Sequence, residues 1–260
     1  MVKTCIITGY GINADDELKK AFELAGSDVQ KIHINDIIKI PALLDLFQII
    51  GFPGGFSFGD HLGSGKVFGN LFKKKLKEAL DKFIGAGKCV IGVCNGFQVL
   101  VKMCILPNLA GNWTQEVSII HNDSGKFEDR WVRIKVNPSS PCVWTKGLTS
   151  MEVPVRHGEG KFIVSDETVE KEILDNHLHA VTYGSGKNCN GGTPEYPDNP
   201  NGSVHNIAGI CDKTGRVFGL MPHPEAFIFP QNHPRWQREE ITYGHGLDIF
   251  KNGVGYFKGE

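Results

Sequence analysis

A cysteine placed between glycines at the end of an apolar strand is suited to nucleophilic attack, and residues 92–98, GVCNGFQ, have that form. The segment follows the apolar CVIGV and precedes the amphipathic FQVLVKMCIL. It matches G-x-C-x-G, the cysteine version of the nucleophile elbow, in which a tight strand-to-helix turn projects the side chain above the sheet and flanking glycines relieve the crowding. Cys94 would then stand at a helix N-terminus, whose partial positive charge favours the thiolate. The competing reading is a small buried apolar residue, which suits Cys5, Cys89 and Cys211 within their strand patterns.

A cysteine nucleophile needs a base. Residues 221–225, MPHPE, follow the strand-like run 216–220 directly. Pro222 and Pro224 predict an extended pentad in which residues two apart share a face, so His223 could move the proton while Glu225 orients the imidazole. Among ten histidines, His223 alone combines an apolar strand leading into it with a carboxylate at this spacing. A plain surface turn is the competing reading of H-x-E. A third cluster, FPGGFSFGDHLGSGK at 52–66, follows another strand. Glycine pairs at a strand's C-terminal end let backbone N–H groups turn toward a ligand, which suits an oxyanion hole, although a simple turn would use the same glycines.

A fourth segment points elsewhere. GYGINA, residues 9–14, matches G-x-G-x-x-A, follows the first strand and opens the first helix, with Asp36 closing the second strand. That is the pattern of a dinucleotide-binding fold. Asn13 is also explained as the N-cap of the helix. The Gly-Lys pairs ending at Lys66, Lys88, Lys126, Lys161 and Lys187 are never followed by Ser or Thr, so the chain has no Walker phosphate loop.

These groups need a scaffold to hold them. Residues 2–8, 29–34, 47–52 and 89–93 read as strands, residues 14–25 and the stretch from Val67 to Phe83 as helices, with Gly26 stopping the first. Strand and helix in alternation predict a parallel sheet with helices on both faces. Lys73, Lys74, Lys75 and Lys77 read as a solvated helix face. Further strands are expected at 131–136, 151–155, 179–183, 206–211 and 216–221, the last two forming a hairpin over DKTG. Residues 188–203 read as one long surface loop with three prolines.

Composition bounds the partners. The chain has 260 residues, is 40% hydrophobic, and carries 28 Lys and Arg against 29 Asp and Glu. A net charge of −1 leaves no electrostatic footprint for nucleic acid or an anionic membrane. No apolar run approaches the roughly 20 residues that span a bilayer. The opening MVKTCIITGYG enters a strand without the pattern of an export signal. Seven cysteines with no C-x-x-C pair argue against a disulfide framework and a thiolate zinc site, so a cytoplasmic protein is expected.

With PGG, GVCNGFQ and MPHPE in this order after successive strands, the chain resembles the class I (triad) glutamine amidotransferases. GFPGGFSFGD, GVCNGFQVL, HNDSGKFEDRWV, VRHGEGKF, NPNGSVHNIAGICDKTGRVFGLMPHPE and GLDIF, spanning residues 51–250, extend the resemblance to the glutaminase subunits of phosphoribosylformylglycinamidine synthase. The triad by itself would also suit an amidotransferase or cysteine hydrolase of the same fold in another pathway. Residues 61–69, HLGSGKVFG, depart from the commonest bacterial form, which bears on the partner interface rather than the triad.

The resemblance implies an α/β three-layer sandwich, mostly parallel in its central sheet with helices on both faces, as a single domain over 1–260. It implies Cys94 as nucleophile, His223 as acid and base, and Glu225 as its orienter. Gly54, Gly55 and Phe56 would form the oxyanion loop, with donors at Gly55 or Phe56 and at Asn95. Gln98 would bind glutamine, and His157 and Glu159 would line the approach. No cofactor is implied for this chain. A large ATP- and magnesium-dependent synthetase and a small third protein would be its partners. The glycines of residues 54–65 further predict a loop ordered only on assembly, and hence a slow glutaminase alone.

Overall fold

A computed structural model of the chain describes residues 1–185 and 194–259. In chain order its elements are β1 (Lys3–Thr8), α1 (Asp15–Leu24), β2 (Asp28–His33), α2 (Ile34–Lys39), β3 (Ile49–Phe52), α3 (Lys66–Gly85), β4 (Cys89–Val93), α4 (Asn95–Met103), β5 (Val117–His121), β6 (Glu128–Val136), β7 (Ser150–His157), β8 (Glu159–Val164), α5 (Glu167–Asp175), β9 (Val181–Gly184), β10 (Ile207–Cys211), β11 (Val217–Leu220) and α6 (Leu247–Gly255).

Nine strands form one sheet in the order β2-β1-β3-β4-β11-β10-β9-β6-β7. The first five of that order pair parallel; the remaining pairs, including the β10–β11 hairpin, are antiparallel. β3 and β4 are buried along their whole length, as expected of parallel strands covered on both faces. Successive residues of β3 show the two covers. A Cβ on Gly51 would touch Leu18 and Phe22 of α1, whereas Phe52, pointing the other way, stacks edge-on against Phe72 of α3. α1 packs with α6, and α3 with α4, giving three layers. In α3, Phe68, Phe72, Leu76, Leu80 and Phe83 are buried at helical spacing, so one stripe holds the helix to the sheet. Among the described residues no helix is long and apolar enough to cross a membrane.

Several expectations are corrected. Asn13 does not cap α1; Ala14 holds that position without a side-chain bond, and Asp15, Asp16 and Glu17 supply the negative charge that suits the helix start. Of the lysine run, Lys74 and Lys75 are exposed, whereas Lys73 and Lys77 are half-buried. Lys73 Nζ donates to the Trp113 carbonyl at 2.6 Å, and Lys77 lies 4.7 Å from the Trp113 ring centroid, because the chain after α4 folds back over α3. The separate β5–β8 ribbon, α2, α5 and α6 have no counterpart in the sequence reading. Of the expected 188–203 surface loop, residues 188–193, including Cys189, lie outside the described residues. Its end is not on the surface: Asn199, Asn201 and Ser203 are buried, bonded to one another and, through Asn201, to the Tyr183 hydroxyl at 3.0 Å.

Candidate active site

The elbow is built by crowding. Cys94 has φ 51° and ψ −108°, a backbone conformation that L-residues hold only where surrounding packing overrides it. A Cβ on Gly96 would lie 1.9 Å from the Phe52 carbonyl oxygen, and one on Gly92 2.6 Å from the Gly96 carbonyl oxygen. Neither glycine of G-x-C-x-G can therefore carry a side chain, because α4 packs directly on β3 and β4. The Cys94 N–H donates to the Leu220 carbonyl at 2.8 Å, tying the elbow to β11, the strand that leads to His223. Cys94 is buried, and its Sγ lies 3.6 Å from the Arg156 carbonyl oxygen.

His223 is held by its N–H, which donates to the Pro154 carbonyl at 2.8 Å. Its Nδ1 lies 2.6 Å from Glu225 Oε1, with both side chains buried. The expected extended pentad is not what brings them together. Pro224–Ala226 forms a 3₁₀ turn, closed by Ala226 N–H to the His223 carbonyl at 3.2 Å and Phe227 N–H to the Pro224 carbonyl at 3.0 Å. Pro224 is tolerated at the first position because no N–H is needed there. With Nδ1 on the carboxylate, Nε2 is the ring nitrogen left to interact with Cys94. A Cβ on Gly54 would lie 3.0 Å from His223 Cε1 and 3.6 Å from Cys94 Cβ, so the three residues converge on one point. Burial favours the neutral imidazole, but the Glu225 carboxylate and Cys94 outweigh it and raise the His223 pKa to about 10. A protonated imidazole beside a thiol is the arrangement in which the sulfur is nucleophilic. Burial pushes the Cys5 and Cys89 thiols up to about 12, as suits structural cysteines in the core.

The loop after β3 is pinned along its length. The Gly54 carbonyl accepts from Asn13 N–H at 3.4 Å and Ala14 N–H at 3.3 Å; Phe56 N–H donates to Gly11 and Phe58 N–H to Tyr10, both at 2.8 Å. Ser57 N–H donates to Asn95 Oδ1 at 3.1 Å. Further on, Asp60 accepts from Ser64 Oγ at 3.1 Å, Gly65 N–H at 3.3 Å and Asn95 Nδ2 at 3.3 Å. Burial raises the Asp60 pKa, and the Glu159 charge adds to it. Three expectations change as a result. Phe56 N–H is committed to Gly11 and cannot be an oxyanion donor, whereas the N–H groups of Gly55 and Asn95 make no hydrogen bond within the described chain. The loop is fixed by its own chain, so assembly-dependent ordering loses its physical basis. The Asn13 and Ala14 N–H groups at the start of α1, which the dinucleotide reading would turn to a pyrophosphate, are bonded to the Gly54 carbonyl, which counts against that reading.

Gln98 is buried, donates to the Glu159 carbonyl at 2.6 Å and accepts from Asn95 Nδ2 at 2.9 Å. Its side chain clamps the start of β8 against α4. Glu159 in turn accepts from Ser64 N–H at 3.2 Å. His157 is buried with Nδ1 3.1 Å from Asn122 Oδ1. Asn122 donates both amide hydrogens, to the carbonyls of His157 at 2.7 Å and Lys126 at 2.9 Å. That orientation makes Nδ1 the protonated nitrogen of His157.

Compared with known proteins, residues 1–257 match the CobB/CobQ-like glutamine amidotransferase domain. The chain belongs to that family. The phosphoribosylformylglycinamidine synthase subunit PurQ of Dehalococcoides mccartyi is 46% identical, over 97% of this chain and 96% of its own. The protein of the same name from Methanococcus maripaludis is 42% identical, over 98% and 97%. The solved structure of PurLQS from Thermotoga maritima contains a chain of 26% identity and TM-score 0.70, covering 98% of this chain and 99% of that one.

Within this glutamine amidotransferase the groups that sequence reasoning missed are backbone carbonyls and second-line side chains: the Arg156 carbonyl beside Cys94, Asp60 under Asn95, and Asn122 under His157. HNDSGKF, read only as a family segment, and HGEGKF, whose His157 and Glu159 were expected to line the approach, are the two stretches that Asn122 joins. His157 also gives a stability test. Its pKa is lowered from 6.5 to about 4 by burial and by the charge of His223. Between those values the unfolded chain binds a proton that the folded chain refuses, so stability is present above pH 6.5 and is lost as pH falls toward 4. Denaturant unfolding should show wild type losing about 3 kcal/mol more than His157→Gln across that window. Parallel pH profiles would overturn the assignment of a neutral buried imidazole.

Proposed function

We propose that this chain is the glutaminase subunit of phosphoribosylformylglycinamidine synthase, working in the cytoplasm as one domain over residues 1–260. The observation that carries this reading is the convergence of Cys94 with the buried His223–Glu225 pair beside the unengaged N–H groups of Gly55 and Asn95. Similarity to PurQ subunits over nearly the full length of both chains supports the pathway.

In the proposed mechanism the Cys94 thiolate attacks the side-chain amide carbon of glutamine, and the carbonyl oxygen becomes an oxyanion held by Gly55 and Asn95 N–H. Collapse breaks the C–N bond as His223 Nε2 delivers its proton to the departing nitrogen, releasing ammonia and leaving a glutamyl thioester. Water then gives a proton to His223 and attacks the thioester, which frees glutamate and restores the thiolate beside the imidazolium. Gln98, Asp60 and Asn95 hold the loop and elbow in register. Ammonia passes to the ATP- and magnesium-dependent synthetase subunit, with a small third protein in the assembly, to convert formylglycinamide ribonucleotide to formylglycinamidine ribonucleotide.

The test is to assay glutamine hydrolysis by the purified chain and then glutamine-dependent synthesis with the synthetase and third protein, alongside complementation of a purine auxotroph lacking this glutaminase. Coupled synthesis and growth are expected. Hydrolysis without either would assign the chain to another pathway, and no hydrolysis in any assembly would overturn the glutaminase reading.

A further inference from the structure

The GYGINA turn has no part in the mechanism above, yet the backbone of Tyr10, Gly11, Asn13 and Ala14 is bonded to the loop that does. We infer that this turn is a positioning element of the oxyanion hole: it fixes the Gly54–Gly55 peptide so that the Gly55 N–H faces Cys94. The inference rests on the glutaminase reading.

The Gly54 carbonyl is anchored on Asn13 and Ala14, at 3.4 and 3.3 Å, where α1 begins. The N–H groups at a helix N-terminus, from the N-cap inward, have no partner inside the helix and carry partial positive charge, so that of Ala14, the N-cap of α1, is a good anchor for a carbonyl oxygen, and Asn13 just before it adds a second. In a trans peptide the C=O of one residue and the N–H of the next point in opposite directions, and the 54–55 bond is trans. With the oxygen held at α1, the Gly55 N–H must point to the other side of the strand. Ile12 and Gly55 form an isolated antiparallel bridge. Its hydrogen bonds are the flanking ones, Asn13 N–H to Gly54 and Phe56 N–H to Gly11. Gly55 is the one residue of the bridge left with an unused donor.

The glycine and alanine of the motif acquire a reason from this contact. Gly11 has φ 83°, and a Cβ there would lie 2.1 Å from the Phe56 carbonyl oxygen and 2.9 Å from its carbon. Only glycine lets the Gly11 carbonyl meet the Phe56 N–H. A Cβ on Gly54 would lie 3.6 Å from the Ala14 methyl, so the small side chain at position 14 lets the strand lie close over the start of α1. The same pattern that elsewhere brings backbone close to a pyrophosphate here brings it close to a neighbouring loop.

Two variants test the inference. Gly11→Ala drives a methyl into the Phe56 carbonyl, and Ala14→Pro deletes one donor to Gly54. Each should lower kcat for glutamine hydrolysis by about 10²-fold, the loss typical of one oxyanion donor, with KM nearly unchanged. Alkylation of Cys94 by iodoacetamide forms no oxyanion, so its rate and pH profile should match wild type. Ammonia-dependent synthesis by the assembled complex should also be unaffected. Wild-type kcat in both variants would overturn the inference, as would a fall in kcat matched by an equal fall in alkylation rate, which would mean a distorted elbow. If Gly11→Ala does not fold, Ala14→Pro decides. Failure of wild type to hydrolyse glutamine at all would instead overturn the underlying functional reading.

Discussion

Cys94→Ser is expected to reduce glutamine-dependent turnover by on the order of 10⁶-fold, the loss seen when a triad nucleophile is removed, while ammonia-dependent synthesis by the assembled complex continues. The reason lies in the state of the base. His223 is buried against the Glu225 carboxylate and has its pKa raised to about 10, so it already holds a proton near neutrality. A thiol can lose its proton ahead of attack, whereas a serine hydroxyl must be deprotonated during it, by an imidazole with no vacancy for the proton. The fold should tolerate the change, since oxygen for sulfur removes volume from a position whose backbone is fixed by Gly92, Gly96 and the bond to Leu220. Parallel assays with glutamine and with ammonium as nitrogen donor separate the two activities. Ordinary glutamine-dependent turnover in the variant would refute Cys94 as nucleophile.

His223→Ala should lower glutaminase kcat by about 10²–10⁴-fold, the range of a general acid–base group. Glu225→Gln should cost less, because the imidazole remains, and the double variant should be no slower than His223→Ala alone. Glu225→Gln has a further signature. The carboxylate is the largest influence raising the His223 pKa, so neutralising it should move the alkaline limb of the pH–kcat/KM profile to lower pH. A double variant much slower than His223→Ala, or an unmoved alkaline limb, would show Glu225 acting outside the triad.

The proposed nucleophile and base were legible because their pattern is local. G-x-C-x-G after CVIGV specifies a strand, a tight turn and a helix start within a dozen residues, and each glycine meets the atom that requires it. The core strands were legible for a similar reason, since β3 and β4 are buried on both faces and need continuous apolar runs. The reason for the His223–Glu225 contact was not. Alternation along an extended chain and a 3₁₀ turn both bring residues i and i+2 near each other, and only the turn's closing bonds distinguish them.

The rest depended on which distant backbone each peptide group faces. The residue types of FPGGFSFGD are compatible with donors at Gly55 or Phe56 alike; the Gly11 carbonyl, 45 residues away, takes the Phe56 N–H and leaves that of Gly55. The meaning of GYGINA was likewise open, because a helix N-terminus serves a phosphate or a neighbouring carbonyl equally well. Side-chain type is written in the sequence and was enough for the reaction class, the proposed triad and the parallel sheet with helices on both faces. The direction of a backbone N–H is set by long-range pairing, which no residue encodes by itself, and so the proposed oxyanion donors, the anchored loop and the proposed use of the first turn could be argued only from the tertiary structure.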